Sequence, residues 1–265
     1  MLTLYHAPLS VCSQKVRIGL ALMQTDYDSR VLDLQKGDQF EPEYMALNPD
    51  AVVPTLIDGG LVVVESSLIL AYLDRSYNAD RLLPSDPGSR VQAEHWLLRC
   101  LAIHAAINTM SFATAMRQTI LATKTQAEIE AQAARMPDPI MGAKRLDLIF
   151  AGLASPYVGQ AMVHLKRLFA DMQAALSVGP WMGGDAAGIV DVALVAYVDR
   201  LDRLGLASLW EGEFASVTPW LSRWRDTRAY ADGIEKWIPD GSAEAMHDAG
   251  RANLKELEEV WRTAS

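Results

Sequence analysis

The sequence predicts a chain of two folds joined in series, an α/β unit of order β-α-β-α-β-β-α followed by an all-helical domain. Three observations carry this. Strand-like and helix-like patterns alternate through the first eighty residues. One good hairpin signal falls inside that stretch and none after it. A breaker-rich segment, Leu83-Pro84-Ser85-Asp86-Pro87-Gly88, then separates it from a long run of helical periodicity. We place the domains at 1–80 and 89–265, with 81–88 as the linker.

Leu2–Tyr5 is a short apolar run that stops at the turn-like His6-Ala7-Pro8. From Val11 to Met23, two-fold alternation competes with helical spacing, and the length and lack of breakers favour helix. Asp28–Leu34 is the second strand candidate, and Pro42–Leu47 a short helix closed by Asn48-Pro49. Pro54–Ile57 and Leu61–Val64 flank Asp58-Gly59-Gly60, two apolar runs joined by a glycine-rich turn. Ser66–Tyr77 has helical periodicity, with Ser66 suited to the N-cap. Beyond the linker, helices are expected at Ser89–Thr119, Ala127–Ala134, Lys144–Leu153, Gln160–Leu176, Ile189–Leu204, Pro219–Arg225 and Ala243–Thr263, with a break at Met136-Pro137-Asp138-Pro139.

Composition narrows the function. The 265 residues are 50% apolar and 22% charged, with a formal net charge of −9, so a basic nucleic-acid footprint is lacking. No apolar run reaches the ~18 residues of a membrane span. The start MLTLYHAPLS has no secretory pattern, so a cytoplasmic protein with reduced thiols is expected. Two cysteines, Cys12 and Cys100, exclude a disulfide framework, and no His/Cys/Asp/Glu spacing suggests a metal site.

Three segments of the first domain carry chemistry together. Ser10-Val11-Cys12-Ser13 lies where the first helix starts. Free N–H groups and partial positive charge there stabilise a thiolate, although a serine is also an ordinary N-cap. Val53-Pro54 opens the third strand; a cis bond would turn the Val53 backbone outward to pair with a peptide-like ligand. Glu65-Ser66 heads the next helix, where Ser66 can cap or bind a carboxylate, and Glu65 an ammonium group.

Taken in order and spacing, Lys36-Gly37-Asp38-Gln39-Phe40, Leu47-Asn48-Pro49, Val53-Pro54-Thr55-Leu56, Val64-Glu65-Ser66-Ser67 and Ile69–Leu73 resemble the cytosolic glutathione transferase superfamily. The likeness runs to about residue 230 and is strongest in the first domain. It implies a thioredoxin-like glutathione-binding domain, glutathione as co-substrate without a metal, and a homodimer. The Ser10–Ser13 run is similar to the theta and zeta classes, where serine activates the thiol. Val11 stands where zeta-like members have a second serine, so the activator stays open among Ser10, Cys12 and Ser13. The resemblance implies that Val53 and Pro54 hold the cysteinyl backbone, Glu65 and Ser66 the γ-glutamyl end, and that Gln39 lies near the glycyl carboxylate. It also implies a capping role for Asp191, with Gly188 where the family has Ser or Thr. The stretch 136–156 is longer than in compact members and is similar to bacterial enzymes near the lignin β-aryl etherases.

A small hydrophobic electrophile is the expected partner. It would face the first helix of the second domain, where Trp96, Arg99 and Ile103 share one stripe. Arg99 there wants a carboxylate partner. His104 and Asn108 form a second pair four residues apart, facing solvent, cleft or a partner copy. Trp237 and Ile238 either close over the cleft or pack on it. Conjugation or glutathione-dependent ether cleavage is the leading reading. Isomerisation of a maleyl-type compound, thiol–disulfide exchange through Cys12, and a non-catalytic binding module are the alternatives.

Overall fold

In a computed structural model describing residues 1–264, the first 80 residues build a four-stranded sheet in the order β2-β1-β3-β4. The strands are β1 (Leu2–His6), β2 (Tyr27–Val31), β3 (Thr55–Asp58) and β4 (Leu61–Val64). β1 runs parallel to β2, with Leu2 opposite Tyr27, and antiparallel to β3, with Tyr5 opposite Thr55; β3 and β4 form the expected hairpin. Its turn uses Gly59 and Gly60 at φ +55° and +96°, which side-chain-bearing residues avoid. β2 stops earlier than its apolar pattern suggests. Asp33 Oδ1 accepts from the N–H groups of Gln35 and Lys36, a side-chain turn that competes with the sheet ladder.

Helices α1 (Val11–Leu22), α2 (Pro42–Met45) and α3 (Ser66–Tyr77) complete this unit. Leu2, Leu4, Val16, Leu20, Leu56, Val63, Ile69 and Leu73 bury together between the sheet and the inner faces of α1 and α3. The α/β unit followed by helices only is the fold class the sequence predicts.

The helical part contains α4 (Pro87–Ala113), α5 (Ala115–Thr123), α6 (Gln126–Ala134), α7 (Pro139–Ala151), α8 (Pro156–Leu176), α9 (Ile189–Arg203), α10 (Ser208–Glu211), α11 (Val217–Arg225), α12 (Arg228–Gly233), α13 (Ser242–Arg251) and α14 (Leu254–Thr263). The stretch read as one helix over 89–119 is two, divided at Thr114, whose backbone is at φ −120°, ψ −99°. α4 starts two residues before the expected Ser89, capped by Asp86 and with Pro87 at the first helical position. The C-terminal helix is likewise split, at Ala252-Asn253. No single helix among the described residues is long and apolar enough to cross a membrane.

α9 is the hub. Every residue from Ile189 to Leu201 is buried, and it packs against α1, α4 and α11. Its N-terminus is fixed by Asp191, as the family likeness implies, although Gly188 offers no side chain to the reciprocal half of the box.

A buried polar cluster ties the end of β1 to α1. Arg17 donates to the carbonyls of Ala7, Pro8 and Gly233 and to His6 Nδ1 at 3.0 Å. The His6 proton is therefore on Nε2, where it donates to Ser29 Oγ at 2.8 Å. Trp237 packs edge-on against His6, and the Arg17 guanidinium lies over its ring, so this tail residue covers the back of β1. Burial, and then the Arg17 charge, lower the His6 pKa from 6.5 to about 4. A depressed histidine contributes stability that is fully present above pH 6.5 and is lost as the pH falls toward 4. The thermal midpoint is expected to fall across that window, and less steeply in His6→Gln; an equal slope in both proteins contradicts the assignment.

Candidate functional site

Sheet register brings the three chemistry-bearing segments to one edge. Because Tyr5 pairs with Thr55, the chain leaving β1 toward Ser10 lies beside the chain entering β3 from Val53. Thr55 pairs in turn with Val64, which places Glu65-Ser66 next to both.

Ser10 is the N-cap of α1. Its Oγ accepts from the Ser13 N–H at 3.3 Å, and its own proton remains available for donation. Ser13 is fully buried, and its Oγ accepts from the Ala7 N–H at 3.2 Å, so its oxygen supports the β1–α1 loop.

The Val53–Pro54 peptide is cis. Val53 N–H and C=O have no hydrogen-bond partner among the described residues, whereas the neighbouring Val52 carbonyl accepts from Tyr44 Oη and Asn48 Nδ2. A free donor and acceptor on one residue suit an extended peptide. Glu65 takes φ +71°, a conformation costing on the order of 1–3 kcal/mol for a residue with a side chain. No side chain caps α3, whose first N–H groups stay open; Ser66 is its first residue rather than its cap. Together these features fit a ligand with a peptide core and a carboxylate at the α3 end.

The far end of that groove is walled by the helical part. α6 and the residues flanking it reach across the 33–41 loop: Gln132 Nε2 donates to the Leu34 carbonyl, Lys124 Nζ donates to the Gln35 carbonyl, and Arg135 lies over the Phe40 ring. Gln39 is buried beside it, with Oε1 lacking a partner. This bridging was not readable from the sequence.

Cys12 faces a small recess that it lines with Glu65, Ser66, Cys100, His104 and Tyr197. Its sulfur lies 3.9 Å from Tyr197 Oη. Burial pushes the thiol pKa up, but the charge and contact of His104, the Lys15 ammonium and a hydrogen bond from Ser66 outweigh it, holding Cys12 below its usual range. The Cys12 charge raises His104 against the opposing effect of burial. Lys15 is fully buried without a carboxylate; it donates to Ser67 Oγ at 3.0 Å and lies over the Tyr197 ring. Burial instead pushes Cys100 up. His104→Gln is expected to move the Cys12 transition, followed by thiolate absorbance against pH, back toward the ordinary thiol range; an unmoved midpoint contradicts the pairing.

The Trp96–Arg99–Ile103 stripe turns to another side of α4. Arg99 does have a carboxylate partner, Asp171 on α8, and stacks on Trp96 at 4.0 Å, while Ile103 is core. The recess is lined from α4 by Cys100, Leu101 and His104. His104 thus meets first-domain residues in the recess, with Asn108 one turn further along α4.

Residues 4–81 match the glutathione S-transferase N-terminal domain family. The chain is 44% identical to glutathione S-transferase Z1 of Arabidopsis thaliana over 85 residues, 32% of this chain and 38% of that one. It is 25% identical over 234 residues to the tetrachloro-p-hydroquinone reductive dehalogenase of Sphingobium chlorophenolicum, covering 86% of this chain and 93% of that one. The β-etherase LigF of Sphingobium sp. strain SYK-6 has a similar fold, with a TM-score of 0.77 at 21% identity over 89% of this chain and 99% of that one. The zeta-class match thus spans well under half of that relative's length. The first domain is thus similar in sequence to glutathione S-transferases, and the chain as a whole is similar in fold to the β-etherase.

Proposed function

We propose that this protein is a glutathione-dependent transferase in which residues 1–80 bind glutathione and residues 89–265 supply the acceptor side. One observation carries the reading: the Ser10 hydroxyl, with its proton free, stands at the same sheet edge as the unpaired Val53 backbone and the open N-terminus of α3. The Val53 N–H and C=O, beside Pro54, pair with the cysteinyl residue. The first N–H groups of α3 and the Ser66 hydroxyl take the γ-glutamyl carboxylate, and Glu65 its ammonium group. Gln39 receives the glycyl end.

Ser10 Oγ–H donates to the glutathione sulfur and favours the thiolate. The sulfur then attacks a small apolar electrophile, forming a carbon–sulfur bond as the leaving group departs with its electron pair. Relatives named as a maleylacetoacetate isomerase from Mus musculus, a dehalogenase and a β-etherase make aryl halides, aryl ethers and maleyl compounds the sensible acceptors to try. Retention on immobilised glutathione, followed by turnover of one of these, is the expected result. Failure to bind glutathione overturns the reading.

The lowered Cys12 thiol supports a second chemistry. Cys12 thiolate attacks the glutathionyl sulfur of a mixed disulfide and expels the product thiolate; a second glutathione then frees Cys12 as glutathione disulfide. Loss of activity in Cys12→Ala but not in Ser10→Ala selects this route. Exposed Leu68 of α3 and Val91, Leu98 and Leu101 of α4 also support a homodimer, tested by sedimentation.

A further inference from the structure

On the helical side, a half-buried cation has nothing to neutralise it among the described residues. His104, Asn108 and Phe112 follow one another at steps of four along α4, each half-buried. They form a stripe that begins at the Cys12 thiol and runs about 12 Å along the helix axis. Ser111, next to Phe112, is tied through its hydroxyl to Arg200, which also donates to the Leu9 carbonyl just before Ser10. That end of α4 therefore borders the loop carrying the proposed activator.

From α7, Arg145 lays its guanidinium over the Phe112 ring, 3.5 Å from its centre. It makes no hydrogen bond or ion pair among the described residues, and enclosure lowers its pKa to about 10. A second guanidinium packs at the end of α7: Arg117 of α5 has a buried Nε without a partner and lies against Gly152, which follows the last residue of that helix. Asp147, the only acid in α7, pairs with neither arginine and has a buried, unpartnered Oδ2 of its own. Stacking on an aromatic ring offsets part of the cost of enclosing a guanidinium, but it leaves the planar fork of N–H donors unused.

We propose that Arg145, seated on Phe112, receives a carboxylate at the far end of an electrophile whose reacting end is apolar. This rests on the glutathione-transfer reading and specifies its substrate class: elongated acids, bridging from the thiol to α7. The bidentate fit of guanidinium to carboxylate supplies both attraction and orientation.

Product-like ligands test this without relying on turnover. Binding of S-(4′-carboxybiphenyl-4-ylmethyl)glutathione, of its methyl ester and of glutathione itself is measured by calorimetry in the wild-type protein, Arg145→Met and Arg145→Lys. The acid is expected to bind the wild type about tenfold or more tightly than the ester. Arg145→Met should abolish that preference and Arg145→Lys retain part of it, with glutathione affinity unchanged in both. Equal binding of acid and ester by the wild type overturns the proposal, as does a preference that survives Arg145→Met. If glutathione itself does not bind, the transferase reading fails instead, so the two failures are distinct.

Discussion

Ser10→Ala is expected to lower kcat/KM for conjugation by about a hundredfold while changing glutathione affinity little. Removing one hydrogen-bond donor aimed at a developing or stabilised anion typically costs 10²–10³ in rate. Ser10 is suited to this because its oxygen is already anchored by the Ser13 N–H, which leaves the O–H to point at the sulfur. A free thiol titrates near 8.5, and each unit of lowering is worth about 1.4 kcal/mol. The acidic limb of the pH–rate profile should therefore move toward the free-thiol value in the variant. Because alanine also removes a cap worth about 1 kcal/mol, Ser10→Gly is the cleaner partner: glycine keeps the cap within a few tenths of a kcal/mol and still lacks the hydroxyl. Equal losses in the two variants assign the effect to chemistry. Full activity in both, with loss in Cys12→Ala, moves the reaction to the thiol.

The parts of this site that were legible in the sequence are those made by local structure. Strand, turn and helix signals around β3, β4 and α3 are short-range, so the positions of Val53, Glu65 and Ser66 at the ends of these elements are legible in the sequence. Ser10 was legible as a cap for the same reason. What was illegible is long-range. His104 meets Cys12 across 92 residues of sequence, and only the packing of α4 against α3 and α9 turns an unremarkable histidine into the group that holds the thiol down. Lys15 reads as a polar residue of an ambiguous helix, yet it is fully buried because Ser67 and the Tyr197 ring receive it. The break at Thr114 has no glycine or proline to announce it. Its hydroxyl donates to the Met110 carbonyl, a local bond that competes with the backbone ladder, and tertiary packing of α5 and α7 decides the angle. The Arg99 stripe had the right periodicity and a correctly anticipated ion pair. Periodicity names a face, however, and not the neighbour that the face meets.

The same distinction governs a buried carboxylate at the start of α9. Asp191→Ala is expected to destabilise the protein by about 4 kcal/mol, without any contact with the proposed ligand. Asp191 is fully buried, and its two oxygens accept from the N–H groups of Gly188 and Met182, each at 2.9 Å, and from Trp220 Nε1 at 2.7 Å. Removing it strands three buried donors, each costing about 1–3 kcal/mol. They belong to the start of α9, to the 179–188 loop and to α11, so one carboxylate holds three pieces of the helical domain around its central helix. Gly188 explains why the carboxylate acts without a reciprocal cap. A Cβ there would lie 3.2 Å from the Leu82 carbonyl, which already accepts from the Ile189 N–H and stitches the linker to α9. A serine would have to push that connection away, so close contact with the linker takes precedence over a side-chain cap at this helix. The urea midpoint should fall sharply in Asp191→Ala with little change in slope, and Asp191→Asn should recover part of the loss, since an amide oxygen still accepts but its NH₂ opposes a backbone donor. If the midpoint of Asp191→Ala is unchanged, the three donors must find other partners and α9 is not held at this point.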